Sequence, residues 1–170
     1  MSFGAGGDVY ASDVVLDAQS STFTLNTAQG SKTVQLPFAG EHNVENATAA
    51  AAFALAIGVG LDDIVAGLEQ AVGAKGRLNF IPHKDYLFID DTYNANPGSM
   101  RAAAEVLAQQ QGIRVMVTGD IGELGSSAAI EHYKLGRDLV SVKGINFVVA
   151  VGEFAPAAKE GARSTQYGKK

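Results

Sequence analysis

A short polar segment carries the densest set of chemically useful side chains in this sequence. It runs Asp90-Asp91-Thr92-Tyr93-Asn94-Ala95-Asn96-Pro97 and follows the apolar residues 86–89. Carboxylates, amides and a phenol can together bind a polar ligand, and open α/β sheets bind ligands at the loops that follow their strands. A turn that only caps the next helix would use the same residue types. The local pattern leaves both interpretations open.

A second candidate is the glycine-rich run Gly119-Asp120-Ile121-Gly122-Glu123-Leu124-Gly125. Its two carboxylates, Asp120 and Glu123, could form an acid/base pair or bind a hydrated metal ion. A solvated loop with tight glycine turns explains them equally well. Similarly, Arg77 could neutralise a phosphate through forked hydrogen bonds, or it could be the cation of an exposed linker.

The three histidines lack the spacing of metal ligands or of a catalytic triad. His83 and His132 are predicted to have surface or capping roles. His42 differs because it lies in the polar run Gly40-Glu41-His42-Asn43-Val44-Glu45-Asn46. That run is either a helix N-cap or a helix start that also holds a ligand.

Two nucleotide-binding signatures are absent from the sequence. The runs at residues 30–32 and 168–170 contain glycine and lysine but lack the spacing of a P-loop. No Gly-x-Gly-x-x-Gly pattern follows the apolar stretch at 86–89. These 170 residues therefore do not predict a self-contained nucleotide hydrolase, and a Rossmann-like topology would not by itself imply a dinucleotide.

Composition narrows the class of protein. The chain has 170 residues, 46% of them hydrophobic, a net charge of -5 and no cysteine. The acidic balance disfavours nucleic-acid binding, and the lack of cysteine excludes disulfides, thiolate metal sites and thiol nucleophiles. The longest apolar stretch, residues 47–57, is too short to span a bilayer. We expect a cytoplasmic protein with no nucleic-acid or membrane partner.

The first half of the sequence predicts a small sheet and two helices. Three strands are predicted over residues 8–16, 22–27 and 33–36, separated by hairpin turns. Asn43 and Asp62 are predicted to cap two helices, the second of which carries its apolar face from Ile64 to Val72. Because these helices have few bulky side chains, we expect them to pack closely on the small sheet. Residues 73–77 are predicted to be a linker.

The second half predicts a parallel α/β arrangement. Strands are predicted at 86–89, 113–117 and 146–151, with one helix beginning at Pro97 after Asn96 and another over 127–142. This β-α-β-α-β order, with crossovers of this length, is typical of a right-handed, doubly wound Rossmann-like sheet. It predicts that both polar loops lie at one edge of a single sheet.

Taken together, these motifs resemble the Mur ligase family, the ATP-dependent amide-forming ligases of peptidoglycan synthesis. Residues 40–46 match the family's Gly-x-His-Asn-x-x-Asn signature, which opens a helix at the end of the central ATPase domain, and Gly76-Arg77 resembles its interdomain Gly-Arg pair. The segment at 90–97, together with the run at 119–125, is similar to the branch whose members add D-alanyl-D-alanine to UDP-N-acetylmuramoyl-tripeptide. The resemblance extends from about residue 20 to residue 152.

The resemblance implies a role for each matching residue. His42, Asn43 and Asn46 would lie near the adenine and ribose of ATP, and Arg77 would approach its phosphates. Asp91 would accept hydrogen bonds from the ribose hydroxyls. The side chains that would line the meeting place of ATP and the incoming dipeptide are Tyr93, Asn94 and Asn96. The implied chemistry is an acyl phosphate that the amine of D-alanyl-D-alanine attacks.

The resemblance also implies that the chain is part of a longer ligase. Residues 1–76 would close the central ATP-binding domain, and residues 77–170 would form most of the carboxyl-terminal domain. The family's P-loop, magnesium carboxylates and modified lysine have no counterpart in these residues. We therefore expect no catalytic residue or metal ligand here, Mg2+ being held elsewhere in the full-length enzyme, and no activity of the segment alone. Residues 1–72 would expose a sheet edge and an apolar face and self-associate.

Three alternatives remain on the sequence alone. The chain could be a non-catalytic module that binds a nucleotide or a peptide. It could belong to a related ligase, either another Mur ligase or one similar to the folylpolyglutamate synthases, which carry different residues in the first loop. It could also be a structural or oligomerisation domain in which the motifs are accidental.

Overall fold

The structure is a computed structural model that describes residues 1–166. The run at 168–170, considered above as a phosphate loop, lies outside the described residues. The chain forms two compact units, Met1–Asp90 and Asp91–Lys170. The predicted domain boundary after residue 76 stays a prediction. None of the helices within residues 1–166 has the length and apolar character needed to cross a membrane.

The first unit begins with the predicted three-stranded sheet. Its strands are β1 (Tyr10–Leu16), β2 (Ser21–Thr27) and β3 (Gly30–Leu36), antiparallel and in the order β1-β2-β3. Alternation along β2 and β3 buries one face, because successive side chains of a strand point to opposite sides. The glycine–lysine run at 30–32 is part of β3 and starts no helix.

Two helices cover the buried face of this sheet, as expected from their small side chains. They are α1 (Glu41–Ala56) and α2 (Leu61–Glu69). Small residues on the inner face of α1 let the helix approach the sheet closely. The buried core of the unit consists of Val9, Phe23, Leu25, Val34, Leu36, Val44, Ala47, Ala51, Ala52, Leu61 and Ile64.

The predicted helix cap is three residues late for α1 and two residues late for α2. The N-caps are Gly40 and Gly60, and neither helix has a capping side chain. Asn43 lies inside the first turn of α1, and its side-chain amide donates to the carbonyl of Ala39 at 2.8 Å. Val72, expected on the apolar face of α2, lies beyond the helix and is 92% exposed.

A hairpin that the sequence did not predict ends the first unit. Strands β4 (Asn79–His83) and β5 (Tyr86–Asp90) pair antiparallel around a two-residue turn. Pro82, which cannot donate to a ladder and is tolerated only at a sheet edge, obscured β4. The predicted strand at 86–89 is therefore real, but among the described residues it pairs with β4 and not with a parallel neighbour.

The second unit alternates helices and parallel strands. Its elements are α3 (Pro97–Ala108), β6 (Val115–Thr118), α4 (Ala128–Ser141), β7 (Phe147–Ala150) and α5 (Ala155–Arg163), the last of them not predicted. Strands β6 and β7 pair in parallel, and their inner side chains pack with α3 and α4 around the core residues Met100, Ala104, Ile121, Leu135, Leu139 and Val142. The α/β class with a parallel sheet is confirmed.

The expected meeting of both polar loops at one sheet edge is not what the strand pairing shows. Residues 90–97 follow β5, which belongs to the β4-β5 hairpin, whereas residues 119–125 follow β6. The two loops thus follow strands of different sheets in the described residues. The expectation of one sheet is wrong because it requires the strand at 86–89 to pair with the later parallel strands. In the structure this strand, β5, pairs with β4, which precedes it in the chain.

Candidate functional site

The first group of candidate residues lies at the amino end of α1. Gly40 adopts φ 94°, a left-handed conformation that glycine tolerates best, and the helix begins at the next residue. Asn43 is half-buried and ties the first turn to Ala39. The side chains of His42 and Asn46 make no hydrogen bond within residues 1–166, so their polar atoms are available to a ligand. The free amides of a helix start add a site that favours anions.

Arg77 lies in a constrained segment just before β4. Gly76 precedes it at φ 72° and donates its N–H to the side chain of Asn79, and Leu78 follows at φ 47°. A bulky residue in the left-handed region costs about 1–2 kcal/mol. The exposed Arg77 therefore projects from a backbone held in an unusual conformation on both sides.

The segment after β5 includes a helix cap, as the sequence predicts. The Asn96 side chain accepts the N–H of Ser99 at 2.9 Å, while the Ser99 hydroxyl accepts the N–H of Asn96 at 3.1 Å. Pro97 occupies the first turn, where its missing N–H costs nothing. Asn96 thus caps α3, which is the structural role that the sequence left open for this segment.

The other polar residues of this segment do not cap the helix. Tyr93 is 69% exposed, and Asn94 is exposed with its side-chain oxygen accepting only the adjacent Ala95 N–H. Asp91 is half-buried. Helix capping therefore explains Asn96 but is not the role of Asp91, Tyr93 or Asn94, which precede α3 in the chain.

The two carboxylates of loop 119–125 have different surroundings in the structure. The Asp120 oxygens accept the N–H groups of Glu153 at 2.7 Å and Phe154 at 3.1 Å, just before α5. The exposed Glu123 makes no hydrogen bond or ion pair among the described residues, and its φ is 62°. Asp120 is engaged in holding the backbone, which argues against an acid/base pair. Within residues 1–166, no three His, Cys, Asp or Glu side chains are placed to hold a metal ion.

The predicted surface role of His132 is wrong, whereas His83 is exposed as expected. His132 is 2% exposed and contacts the backbone of loop 119–125 through its ring. It lies on the same face of α4 as Ala128, Leu135 and Leu139, all of them buried. That helical spacing was visible in the sequence and would have placed the histidine in the core.

A groove of about 1070 Å³ lies in the second unit between the parallel strands, α4 and α5. Thr118 and Val148 contribute to its strand side, and the cations Lys159 and Arg163 contribute from α5. None of the eight predicted binding residues lines it. Four of them (His42, Asn43, Asn46 and Arg77) belong to the first unit, and the other four (Asp91, Tyr93, Asn94 and Asn96) to the second.

Comparison with known proteins identifies the family. Residues 76–168 match the family described as Mur ligase, glutamate ligase domain. The chain is 42% identical over 150 residues to the UDP-N-acetylmuramoyl-tripeptide–D-alanyl-D-alanine ligase of Escherichia coli (strain K12), and 39% identical over 156 residues to that of Haemophilus influenzae. These matches cover 88% and 91% of this chain but 33% and 34% of the relatives, so the chain spans about a third of their length.

Solved structures agree with the sequence comparison. A crystal structure of MurF from Acinetobacter baumannii superimposes with a TM-score of 0.92 at 68% identity, over 95% of this chain and 35% of that one. The MurF ligase of Thermotoga maritima, solved with ADP, shares the fold with a TM-score of 0.71 at 21% identity, over 96% and 49%. The chain belongs to the Mur ligase family.

Proposed function

We propose that this chain is part of an ATP-dependent ligase that joins D-alanyl-D-alanine to UDP-N-acetylmuramoyl-tripeptide in the bacterial cytoplasm. The observation that carries the proposal is the segment at 91–97, which presents Asp91, Tyr93 and Asn94 beside the start of α3. The relatives from Escherichia coli and Haemophilus influenzae bear the name of this activity. Residues 1–76 would then end the ATP-binding domain, and residues from 77 on would form the carboxyl-terminal domain.

Exposure and hydrogen bonding support the proposed roles of the residues at the start of α1. His42 is half-buried and Asn46 is exposed near the start of α1, and they would contact the adenine and ribose of ATP. Asn43 keeps that helix start in place through its bond to Ala39. Arg77 would approach the phosphates, and Asp91 would accept hydrogen bonds from the ribose hydroxyls. Tyr93 and Asn94 would contact the dipeptide, with Asn96 fixing the helix from which they project.

The reaction would proceed in two displacements. A carboxylate oxygen of the tripeptide attacks the γ-phosphorus of ATP and ADP leaves; the dipeptide amine then attacks the acyl carbon and phosphate leaves. Mg2+ would neutralise charge on the phosphates, but the described residues contain no cluster suited to bind it. We therefore assign this segment the binding and orientation of substrates, and we expect it to be inactive alone.

A chimeric enzyme tests the proposed activity. The matching third of the Escherichia coli relative is replaced by this chain, and ligation of D-alanyl-D-alanine to UDP-N-acetylmuramoyl-tripeptide is measured. We expect activity, and we expect Asp91→Ala to lower kcat/KM for ATP by about 10- to 100-fold, the effect of losing a hydrogen bond to a charged group.

The matched control is Asp85→Ala, which removes the same charge from the exposed turn between β4 and β5. A folded chimera without ligase activity, or equal effects of the two substitutions, would contradict the proposal. ATP turnover by the 170-residue chain alone would overturn its expected inactivity. Binding of ATP without any ligation by the chimera would favour a non-catalytic nucleotide-binding module.

Exposed apolar residues support the further expectation that residues 1–72 self-associate. Val14, Val15 and Leu16 lie on the edge strand β1 and are 41%, 56% and 36% exposed. Edge strands with apolar side chains invite pairing with another chain. Sedimentation over a range of concentrations measures this, and a monomer at all of them would contradict it.

A further inference from the structure

A buried histidine outside the proposed binding residues connects three parts of the second unit. His132, on α4, receives the N–H of Ile121 at its Nε2 atom, 3.0 Å away, and its Nδ1 atom lies 2.7 Å from the carbonyl oxygen of Ala128. Its ring stacks on Phe154 with a centroid distance of 4.8 Å. The loop after β6, helix α4 and the start of α5 therefore all meet at one imidazole.

These contacts determine which ring nitrogen carries the proton. A carbonyl oxygen can only accept, so Nδ1 must be protonated; a backbone N–H can only donate, so Nε2 must be unprotonated. The geometry is satisfied by the neutral Nδ1–H tautomer. Protonation of Nε2 would leave the buried N–H of Ile121 without its acceptor, which is costly for a buried polar group.

Asp120 completes the connection from the loop to α5. Its carboxylate accepts from the N–H groups of Glu153 and Phe154, and Asp120 Oδ1 lies 3.9 Å from His132 Nε2. Gly152 is needed beside it: its φ is 119°, and a Cβ atom there would lie 2.4 Å from an Asp120 oxygen. The main chain of residues 120 and 121 is thus held on one side by His132 and on the other by the start of α5.

We propose that His132 is a positioning residue of the ligase. As the neutral Nδ1–H tautomer, it holds Ile121 and thereby sets the path of loop 119–125, which carries the exposed Glu123 carboxylate. Asp120 anchors the same loop to α5 and takes no part in proton transfer. The inference rests on the proposed function only in assigning the loop to a ligase; the contacts themselves belong to this chain.

Two substitutions separate the hydrogen bonds of the imidazole. In His132→Gln the side-chain oxygen can take the place of Nε2 and accept from Ile121, whereas in His132→Asn the amide can take the place of Nδ1–H and donate to Ala128. Both lose the ring and its stacking on Phe154. A role in packing alone predicts the same effect from both, whereas a role in holding the loop predicts that only Gln rescues it.

The measurement is amide hydrogen exchange on the 170-residue chain, without nucleotide. We expect Ile121 to exchange about tenfold faster in His132→Asn than in His132→Gln, as for the loss of one hydrogen bond. The internal control is Val151, whose N–H bonds to Thr118 at 2.8 Å and should change equally in both variants. Equal exchange at Ile121 in the two variants would overturn the proposal.

Nitrogen-15 spectroscopy of the unmodified chain tests the tautomer even if neither variant folds. We expect a protonated Nδ1 and an unprotonated Nε2 at neutral pH, and the opposite tautomer would overturn the proposal. In the chimera, His132→Asn should lower kcat more than His132→Gln; equal kcat values would refute a positioning role in the reaction. If the chimera is inactive while it still carries His132, that result counts against the proposed function. The exchange and tautomer results do not depend on the proposed function, so they test the role of His132 separately.

Discussion

Replacing Gly136 by alanine should force α4 and α5 apart. A Cβ atom at Gly136 would lie 1.9 Å from the carbonyl oxygen of Ala158, and one at Gly161 would lie 1.8 Å from that of Tyr133. A carbon atom and a carbonyl oxygen in close contact normally stay about 3.3–3.6 Å apart. Both obstacles are backbone atoms, so no change of rotamer relieves the contact, and the helices would have to separate by more than about 1 Å.

The expected change in the free energy of unfolding is the difference between two opposing effects. Overpacking of a close contact costs about 3 kcal/mol when the structure cannot relax around it, and alanine gains about 1 kcal/mol over glycine inside a helix. We expect Gly136→Ala to lower the free energy of unfolding of the second unit by about 2 kcal/mol. For a domain of this size, that corresponds to a decrease in Tm of about 10 °C.

Gly67→Ala in α2 is the matched control, because the same substitution there meets no atom within 4 Å. It should stabilise the first unit by up to about 1 kcal/mol. Since the chain has no tryptophan, unfolding in urea is followed by the amide signals of each unit. We expect a lower urea midpoint for the second unit of Gly136→Ala than for that of the unmodified chain. A midpoint that is equal or higher, while Gly67→Ala behaves as expected, would refute the reasoning.

Two further predictions concern a helix cap and an exposed carboxylate. Asn96→Ala should destabilise the second unit by about 1 kcal/mol through loss of the cap, as measured by urea unfolding, while Asn94→Ala should have little effect; equal losses would contradict this. Backbone and hydroxyl hydrogen bonds from Ser2 lower the pKa of Asp8. Because the pKa of Asp8 in the folded chain lies below its ordinary value, the contact stabilises the amino terminus at pH values above the ordinary pKa. This stabilisation is lost as the pH falls through the folded pKa. The Ser2 amide signal should follow this titration and lose its dependence in Asp8→Asn; an amide insensitive to acid in the unmodified chain would count against it.

Elements defined by neighbouring residues were predictable from the sequence. The Asn96 cap and Pro97 act within one helical turn, so residue types alone predict the start of α3. The first three strands follow from alternation and turn residues, which are also local signals. The starts of α1 and α2 were misplaced because glycines cap both helices, and Asn43 found a partner in Ala39 instead of its own helix.

Pairings between distant residues were not predictable in this way. In the structure β5 pairs with β4, whose strand pattern is interrupted in the sequence by Pro82. Likewise, the position of Asp120 depends on two amide groups 33 and 34 residues away. A carboxylate beside glycines looks the same in sequence whether it binds a ligand or another loop, because only the folded backbone brings its donors within reach.

The sequence by itself indicated the family and the α/β class. It also contains the motifs at 40–46 and 90–97 on which the proposed ligase role depends. These are properties of residue type and spacing along the chain. Only the tertiary structure decided that β5 joins a hairpin, that Asp120 anchors α5, and that His132 is buried with both ring nitrogens paired. Each of these depends on hydrogen bonds or packing between segments far apart in sequence, whose geometry exists only once the chain has folded.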